Sequence, residues 1–221
     1  MLVAWDSFDE PTYRHRALAD YQGDREFDTE LVDQLEVLPE FVTACGFANA
    51  KAPGYEADDF LAAAVAKEER RGTVVVATGD RDAYQLASAK TTILQPIKAG
   101  EMARIGPPEV RDRYGVEPSQ VPDFIALRGD ASDKIPGAKG VGSKTAAGLL
   151  VKYRSLDKLL AAGRFADQAE KLRVYRSIAT MDRFAPLPSL KNQTPTWERA
   201  SALAREWDLN RLGDRLAALA M

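Results

Sequence analysis

Cysteine and histidine are almost missing from this chain: 221 residues hold one of each, Cys45 and His15. A lone cysteine excludes an internal disulfide and any cysteine-based zinc site, and it fits a reducing compartment. A lone histidine leaves His-rich metal sites and a Ser-His-Asp arrangement poorly supplied. Within Tyr13-Arg-His-Arg16 it reads as a surface residue. No apolar run approaches the roughly 20 residues of a membrane span. Met1-Leu-Val-Ala-Trp-Asp6 lacks the basic start of a signal peptide, so a soluble, cytoplasmic product is expected. Hydrophobic residues make up 45% of the chain, ample for the core of one large domain or two modest ones.

Charge is plentiful and unevenly placed. Residues 1–104 carry 11 Lys/Arg against 19 Asp/Glu, whereas residues 105–221 carry 19 against 14. An acidic half suits cations and a basic half suits a polyanion, although two ordinary neighbouring domains would also give this balance. The densest acidic stretch is Gly54-Tyr-Glu-Ala-Asp-Asp-Phe60. It opens a helix after the Pro53-Gly54 turn and puts Glu56, Asp58 and Asp59 in its first turn. Acids there complement the helix dipole. Three in four residues exceed what a cap requires, so a solvated cap and a cation site both stay open.

The chain around this stretch reads as a parallel α/β sheet. Leu2–Trp5 is a short strand with Asp6 at its carboxyl end, and a helix opening at Thr29 carries Leu31, Leu35, Leu38, Phe41 and Val42 at core spacing. Phe47–Ala52 is a second strand candidate. Thr73-Val-Val-Val-Ala-Thr78 is a β-branched run suited to burial on both faces; it ends in Gly79-Asp80-Arg81-Asp82, and Thr91–Leu94 is a further strand. Strands alternating with helices predict parallel pairing, with ligands beyond the carboxyl ends. Asp6, Glu56, Asp58, Asp59, Asp80 and Asp82 therefore converge on one edge, which favours a cation site over six independent turn formers. Residues 7–30, with Tyr13, Arg14, Arg16, Tyr21 and Arg25, read as an exposed segment. It either stacks on bases and neutralises phosphates or forms a plain solvated loop.

Past Pro107-Pro108 the pattern turns helical. Asp130 and Asp133 add two carboxylates at a loop, and Gly137, Gly140 and Gly142 allow tight turns before a helix capped by Ser143. A glycine-rich hairpin that opens onto a helix N-terminus offers N–H groups to a phosphate. Lys134–Arg183 holds 11 Lys/Arg against 4 Asp/Glu, which suits a phosphate-backbone surface; a tight helix–helix turn with a solvated basic face is the alternative. Residues 184–195 read as a linker. Trp197, Leu203 and Trp207, in a helical tail, are expected to pack on the helical half.

Four blocks carry a resemblance: Ala4-Trp-Asp6, Gly54-Tyr-Glu-Ala-Asp-Asp59, Thr78-Gly-Asp-Arg-Asp-Ala-Tyr-Gln-Leu86, and Leu127-Arg-Gly-Asp-Ala-Ser-Asp133 running into Ile135-Pro-Gly-Ala-Lys-Gly-Val-Gly142. Together they resemble the bacterial 5'–3' exonuclease and flap endonuclease family, including the N-terminal part of DNA polymerase I. The resemblance implies a PIN-like (Rossmann-like) α/β nuclease domain over 1–105 and an all-α helix–hairpin–helix domain over 106–221. It implies Mg2+ or Mn2+, two or more, held by Asp6, Glu56, Asp58, Asp59, Asp80, Asp82, Asp130 and Asp133. It places Tyr21 and the catalytic Arg25 beside the scissile phosphate. Lys134, Gly137, Lys139, Gly140, Gly142, Ser143 and Lys144 then meet duplex DNA, with a potassium ion at the hairpin. The partner implied is DNA with a 5' end or flap next to duplex, handled by a nucleoid-associated monomer with a functional link to a polymerase.

Two departures stand out. Gln22 occupies the position where the resemblance implies a lysine. An upstream strand ending in Asp-Gly-Asn, with its own ligand, does not occur in these 221 residues; its absence is expected to leave a gap in the sheet and expose apolar surface. A nuclease-inactive module for branched or 5'-ended duplex DNA, and an RNA-directed PIN-like nuclease, are the alternative readings.

Overall fold

The computed structural model describes residues 1–7, 10–23, 27–98 and 100–220. Two parallel pairings form its α/β half. Strand β1 (Leu2–Ala4) lies beside β2 (Ala48–Ala50), with Leu2 opposite Ala48. Strand β3 (Val74–Ala77) lies beside β4 (Thr91–Lys98), with Val74 opposite Thr91, and β4 turns back antiparallel into β5 (Glu101–Ile105). The expected parallel α/β architecture is present, but the sheet comes as two pieces of two and three strands. Between β1 and β3 runs a groove of about 860 Å³ lined by Leu2, Val3, Leu61, Val65 and the length of β3. Apolar surface is exposed there as a sheet gap implies: Val75 is 56% exposed while Val76 is buried. The run at 73–78 is therefore covered on one face, not two.

Ten α-helices surround and follow these strands among the described residues: α1 (Tyr13–Ala17), α2 (Thr29–Ala44), α3 (Ala57–Glu68), α4 (Pro107–Tyr114), α5 (Val121–Arg128), α6 (Ser143–Tyr153), α7 (Leu156–Ala161), α8 (Ala169–Ala179), α9 (Trp197–Glu206) and α10 (Asn210–Ala220). Asp28 caps α2, its carboxylate accepting the Glu30 N–H. The apolar stripe of α2 is less buried than its spacing suggests, since Leu31 and Leu38 stand exposed. Past Asp80 the backbone makes a 3-10 turn, Asp82–Leu86, before β4.

One core runs through both halves. Val76 and Ile93 of the sheets join Phe124 and Ile125 of α5, Leu150 of α6 and Leu172 and Ile178 of α8. Gln85 ties the same junction with polar bonds, donating to the Ala179 carbonyl and accepting the Met181 N–H, both at 3.0 Å. The helical tail departs from expectation. Trp197 meets Phe47 with ring centroids 5.7 Å apart, and Trp207 meets Phe41 at 5.8 Å. The α9–α10 pair thus packs on α2 and the α/β half, because Phe41 and Phe47 offer aromatic surface that α2's own half leaves uncovered.

The hairpin between α5 and α6 depends on close backbone approach. Gly137 has φ +74°, and a Cβ there would stand 2.8 Å from the Arg128 carbonyl oxygen and against the Gly129 amide nitrogen. Gly140 has φ +76°, but a Cβ there meets nothing within 4 Å. Gly137→Ala is expected to destabilise the protein by about 3 kcal/mol, from backbone displacement added to left-handed strain. Gly140→Ala should cost only about 1–2 kcal/mol, the strain alone. Urea denaturation of the two variants measures the difference; equal losses would show that the Gly137–Gly129 contact yields.

Candidate active site

The carboxyl ends of β1 and β3 and the amino end of α3 meet at one acidic cleft. It has a volume of about 510 Å³ and its walls include Asp6, Glu56, Asp58, Asp80, Thr12 and His15. Asp6 follows β1, and its Oδ1 accepts the Ala57 N–H at 2.8 Å, so it serves as an outside cap for the first turn of α3. Asp80 follows β3 and accepts the Asp82 N–H at 2.8 Å. A smaller adjoining recess brings Asp82 and Asp133 next to Asp58, Asp80 and Glu56. The helical half adds Asp130, whose carboxylate is held by Arg128 at 2.6 Å and by the Ser132 N–H at 2.9 Å. The Asp133 carboxylate accepts the Gln22 side-chain amide at 3.0 Å.

Crowding shows in the electrostatics. Burial, then the charges of Asp80 and Asp6, push Asp58 up to about 8. Burial and the carboxylates of Asp80, Asp133, Asp130 and Asp58 push Asp82 well above the usual carboxylate range. Glu56 is also raised, mainly by burial. Acids pushed towards their neutral forms by burial and by one another are the mark of a site that gains free energy when a cation enters. Among the described residues, no three Asp, Glu, His or Cys side chains already stand close enough together to hold an ion. The acids are gathered around the cleft and a cation would have to draw them in.

Asp59 is placed differently from its neighbours. It is fully buried, about 100° round α3 from Asp58, where Arg14 grips it with two bonds of 2.8 and 2.7 Å. It also accepts the Asp182 N–H at 2.8 Å, the Glu56 N–H at 3.1 Å and the Tyr13 hydroxyl at 3.2 Å. Burial would raise its pKa, but the Arg14 hydrogen bonds and charge outweigh that and hold it below the usual range. Its oxygens are fully engaged by protein donors, so the expected ligand is an internal anchor. Arg14 itself is buried, donates from Nε to the Ile178 carbonyl at 2.8 Å and stands 3.5 Å from Glu56. The sequence showed Arg14 only as one cation in an exposed segment, and no spacing signal distinguishes it.

Other sequence-stated residues fall into clear groups. Tyr21 is 3% exposed; its hydroxyl donates to Glu56 at 3.2 Å, so its ring is not offered to a stacked base. His15, expected at the surface, forms part of the cleft wall. Its Nδ1 accepts the Thr12 N–H at 3.2 Å and its ring meets Tyr21 edge-on. Thr12 in turn donates to Glu56 at 3.1 Å. Gln22, at φ +47°, joins Tyr21 to Asp133. Arg25 lies outside the described residues. Gly142 rather than Ser143 occupies the N-cap of α6, with no side-chain bond to the first turn. Gly140, Gly142, Ser143, Lys139 and Lys144 are all exposed around those N–H groups. Lys134, at φ +55°, directs its ammonium towards Gly23.

This combination, an acidic cleft at parallel strand ends joined to a helical half with a glycine-opened helix start, defines a resolvase-like domain followed by a helical SAM-type domain. The family model for the 5'-3' exonuclease N-terminal resolvase-like domain matches residues 1–115, and that for the 5'-3' exonuclease C-terminal SAM fold matches residues 116–206. The chain belongs to the 5'-3' exonuclease family. DNA polymerase I of Mycobacterium leprae is 36% identical over 211 residues, which are 91% of this chain and 22% of that protein. The chain thus spans about a fifth of the curated relatives it matches. T5 5'-exonuclease with zinc ions bound superposes with a TM-score of 0.67 at 16% identity, covering 100% of this chain and 83% of that one. The catalytic core of Rad2 in complex with DNA substrate gives 0.59 at 14%, covering 96% and 75%.

Two expectations test the cleft's electrostatics. With its raised pKa, Asp58 is protonated in the folded metal-free protein and ionised in the unfolded chain at neutral pH. Stability therefore falls as pH rises from about 4 to about 8. In EDTA, Asp58→Asn should raise Tm by about 2–5 °C at pH 8 and by almost nothing at pH 4; a gain that does not grow with pH would contradict the assignment. Arg14→Met should cost about 3–5 kcal/mol by stranding Asp59. Adding Asp59→Asn should recover part of that loss in a double-mutant cycle by chemical denaturation.

Proposed function

We propose that the chain is a divalent-metal-dependent 5'–3' exonuclease and flap endonuclease that hydrolyses DNA phosphodiesters. The observation that carries this reading is the cleft at the strand ends, where Asp58 and Asp82 are forced towards their neutral forms by burial and neighbouring carboxylates. The donor set is all oxygen, so Mg2+ or Mn2+ fits it better than a soft ion. Asp6, Glu56, Asp58, Asp80, Asp82, Asp130 and Asp133 would hold the ions, with Asp59 as the anchor behind them. Bound there, such cations supply an activated water and charge stabilisation on the leaving oxygen.

The chain's own residues prepare the site. Thr12 and Tyr21 donate to the two oxygens of Glu56 and fix its orientation. The Ala57 and Asp82 N–H groups do the same for Asp6 and Asp80. Arg128 and Gln22 orient Asp130 and Asp133, the two acids the helical half contributes. Beyond the cleft, the open start of α6 with Lys139 and Lys144 would take a phosphate of the duplex, reading backbone and not sequence. Potassium at the Gly140–Gly142 turn and contacts from Arg25 and Lys134 belong to the same proposal. So does cooperation with a DNA polymerase, which the polymerase I relatives support.

The test is a 5'-flap cleavage assay on the 221-residue chain with Mg2+, Mn2+ or EDTA. Product should require metal. Asp80→Ala should abolish cleavage while flap binding in EDTA stays within about twofold, since phosphate contacts, not this acid, supply affinity. Turnover retained in that variant sinks the metal assignment. Tight flap binding by the unsubstituted chain without any product in either metal would instead favour a DNA-binding module.

A further inference from the structure

The acidic cleft is not acidic throughout: Pro11, Thr12, His15 and Gln22 also line it. Among the described residues, His15 is the one lining side chain that can carry positive charge, and the chain holds no other histidine. Its neighbour Arg14 is buried and bound to Asp59. The imidazole is half-buried and held in place by its surroundings. Nδ1 accepts the Thr12 N–H at 3.2 Å, and the Tyr21 ring stands 5.3 Å away at 83°. That bond sets the tautomer, because a backbone N–H can only donate: Nδ1 is bare and Nε2 carries the proton. Thr12 Oγ1 lies 2.9 Å from Nδ1 and 3.1 Å from Glu56, so a single hydroxyl separates the ring from the acids.

We propose that His15 is a catalytic residue that donates from Nε2 to a non-bridging oxygen of the phosphodiester in this cleft; the proposal rests on the nuclease reading above. The other side-chain donors of this wall serve carboxylates: the Thr12 and Tyr21 hydroxyls go to Glu56 and the Gln22 amide to Asp133. Those bonds orient acids and do nothing for a phosphate. An anion that enters among acids needs a donor of its own, and the imidazole is the wall group whose chemistry suits it. Fixed in advance, it costs no reorganisation as negative charge gathers on the phosphate oxygens during displacement. The bond therefore tightens in the transition state and acts on kcat more than on KM. The proton stays on Nε2 throughout, so the ring neither attacks phosphorus nor protonates the leaving 3' oxygen. A purely structural role is the competing account, since the same ring closes the capping box of α1 from its third position.

Two substitutions separate these roles, because Glu and Gln both complete a capping box behind Thr12. His15→Gln keeps the box and an amide donor, whereas His15→Glu keeps the box and turns an acid towards the phosphate. In the flap assay with Mg2+ or Mn2+, His15→Glu should lower kcat by about 100-fold or more, and His15→Gln by less than about 10-fold. Equal losses in the two variants would leave His15 a cap alone and overturn the proposal. The second readout needs neither variant nor turnover. With histidine labelled by nitrogen-15, the lone imidazole gives one pair of ring nitrogen signals, and the metal-free protein should show the proton on Nε2. Adding 5'-flap DNA with Ca2+, a hard ion suited to the oxygen donors, should shift the Nε2 signal while Nδ1 stays bare. An Nε2 signal unmoved at saturating DNA overturns the proposal, and so does one moved equally by DNA in EDTA, which would place the contact away from the cation site. Absence of cleavage by the unsubstituted chain would count against the nuclease reading, and the nitrogen signals would still decide whether His15 meets a phosphate.

Discussion

The buried Arg14–Asp59 pair is the constraint on which the site rests. Two charges removed from water are costly unless every donor and acceptor is matched, and here they are: Asp59 accepts from Arg14, Tyr13, Glu56 and Asp182, and Arg14 also reaches Ile178. Those partners come from four places in the chain, namely α1, the start of α3, the end of α8 and the turn after it. One ion pair thereby fixes the amino end of the acidic helix against the helical half. The cleft's remaining acids inherit their positions from it.

That arrangement separates two tasks carried by adjacent residues. Asp59 is saturated by protein donors and held ionised; Asp58, one position earlier and about 100° round the helix, faces other acids and is pushed towards its neutral form. The contrast comes from environment alone, since the side chains are identical. Arg14 supplies its charge to the anchor side, and the cleft side is left with carboxylates that repel one another. Burial and that repulsion together favour a cation over water.

Much of this was legible in the sequence. The placement of Asp6, Glu56, Asp58, Asp80 and Asp82 at strand and helix ends followed from the alternation of β-branched runs with helices, because parallel topology sends carboxyl ends to one edge. The glycine hairpin and the helix after it were equally visible. What was not legible depended on long-range partners. Nothing in Gly54–Phe60 tells that Asp59 faces Arg14, 45 residues away, while Asp58 faces the cleft. The Val74–Val76 run suggested burial on both faces because residue type reports preference, whereas cover is supplied by neighbours that local sequence does not name. Trp197 and Trp207 announced packing without announcing their partner. Phe41 and Phe47 settle that choice.

The return of the tail to α2 has a consequence for the order of events during synthesis. The last carbonyls of α2 are met by Thr196, whose hydroxyl donates to Ala44 at 2.7 Å and whose N–H donates to Cys45 at 3.0 Å. Gly46 is held so near that a Cβ there would stand 2.6 Å from the Thr194 carbonyl oxygen. Ala44 and Thr196 are 152 positions apart. At roughly 5–20 residues per second, a ribosome takes about 8–30 s to cover that distance. Throughout that interval the end of α2, with Phe41 and Phe47 beside it, has emerged without the helices that cover it. The nascent chain therefore presents an aromatic surface for about 8–30 s, and closure of this lobe waits until α9 and α10 have been made.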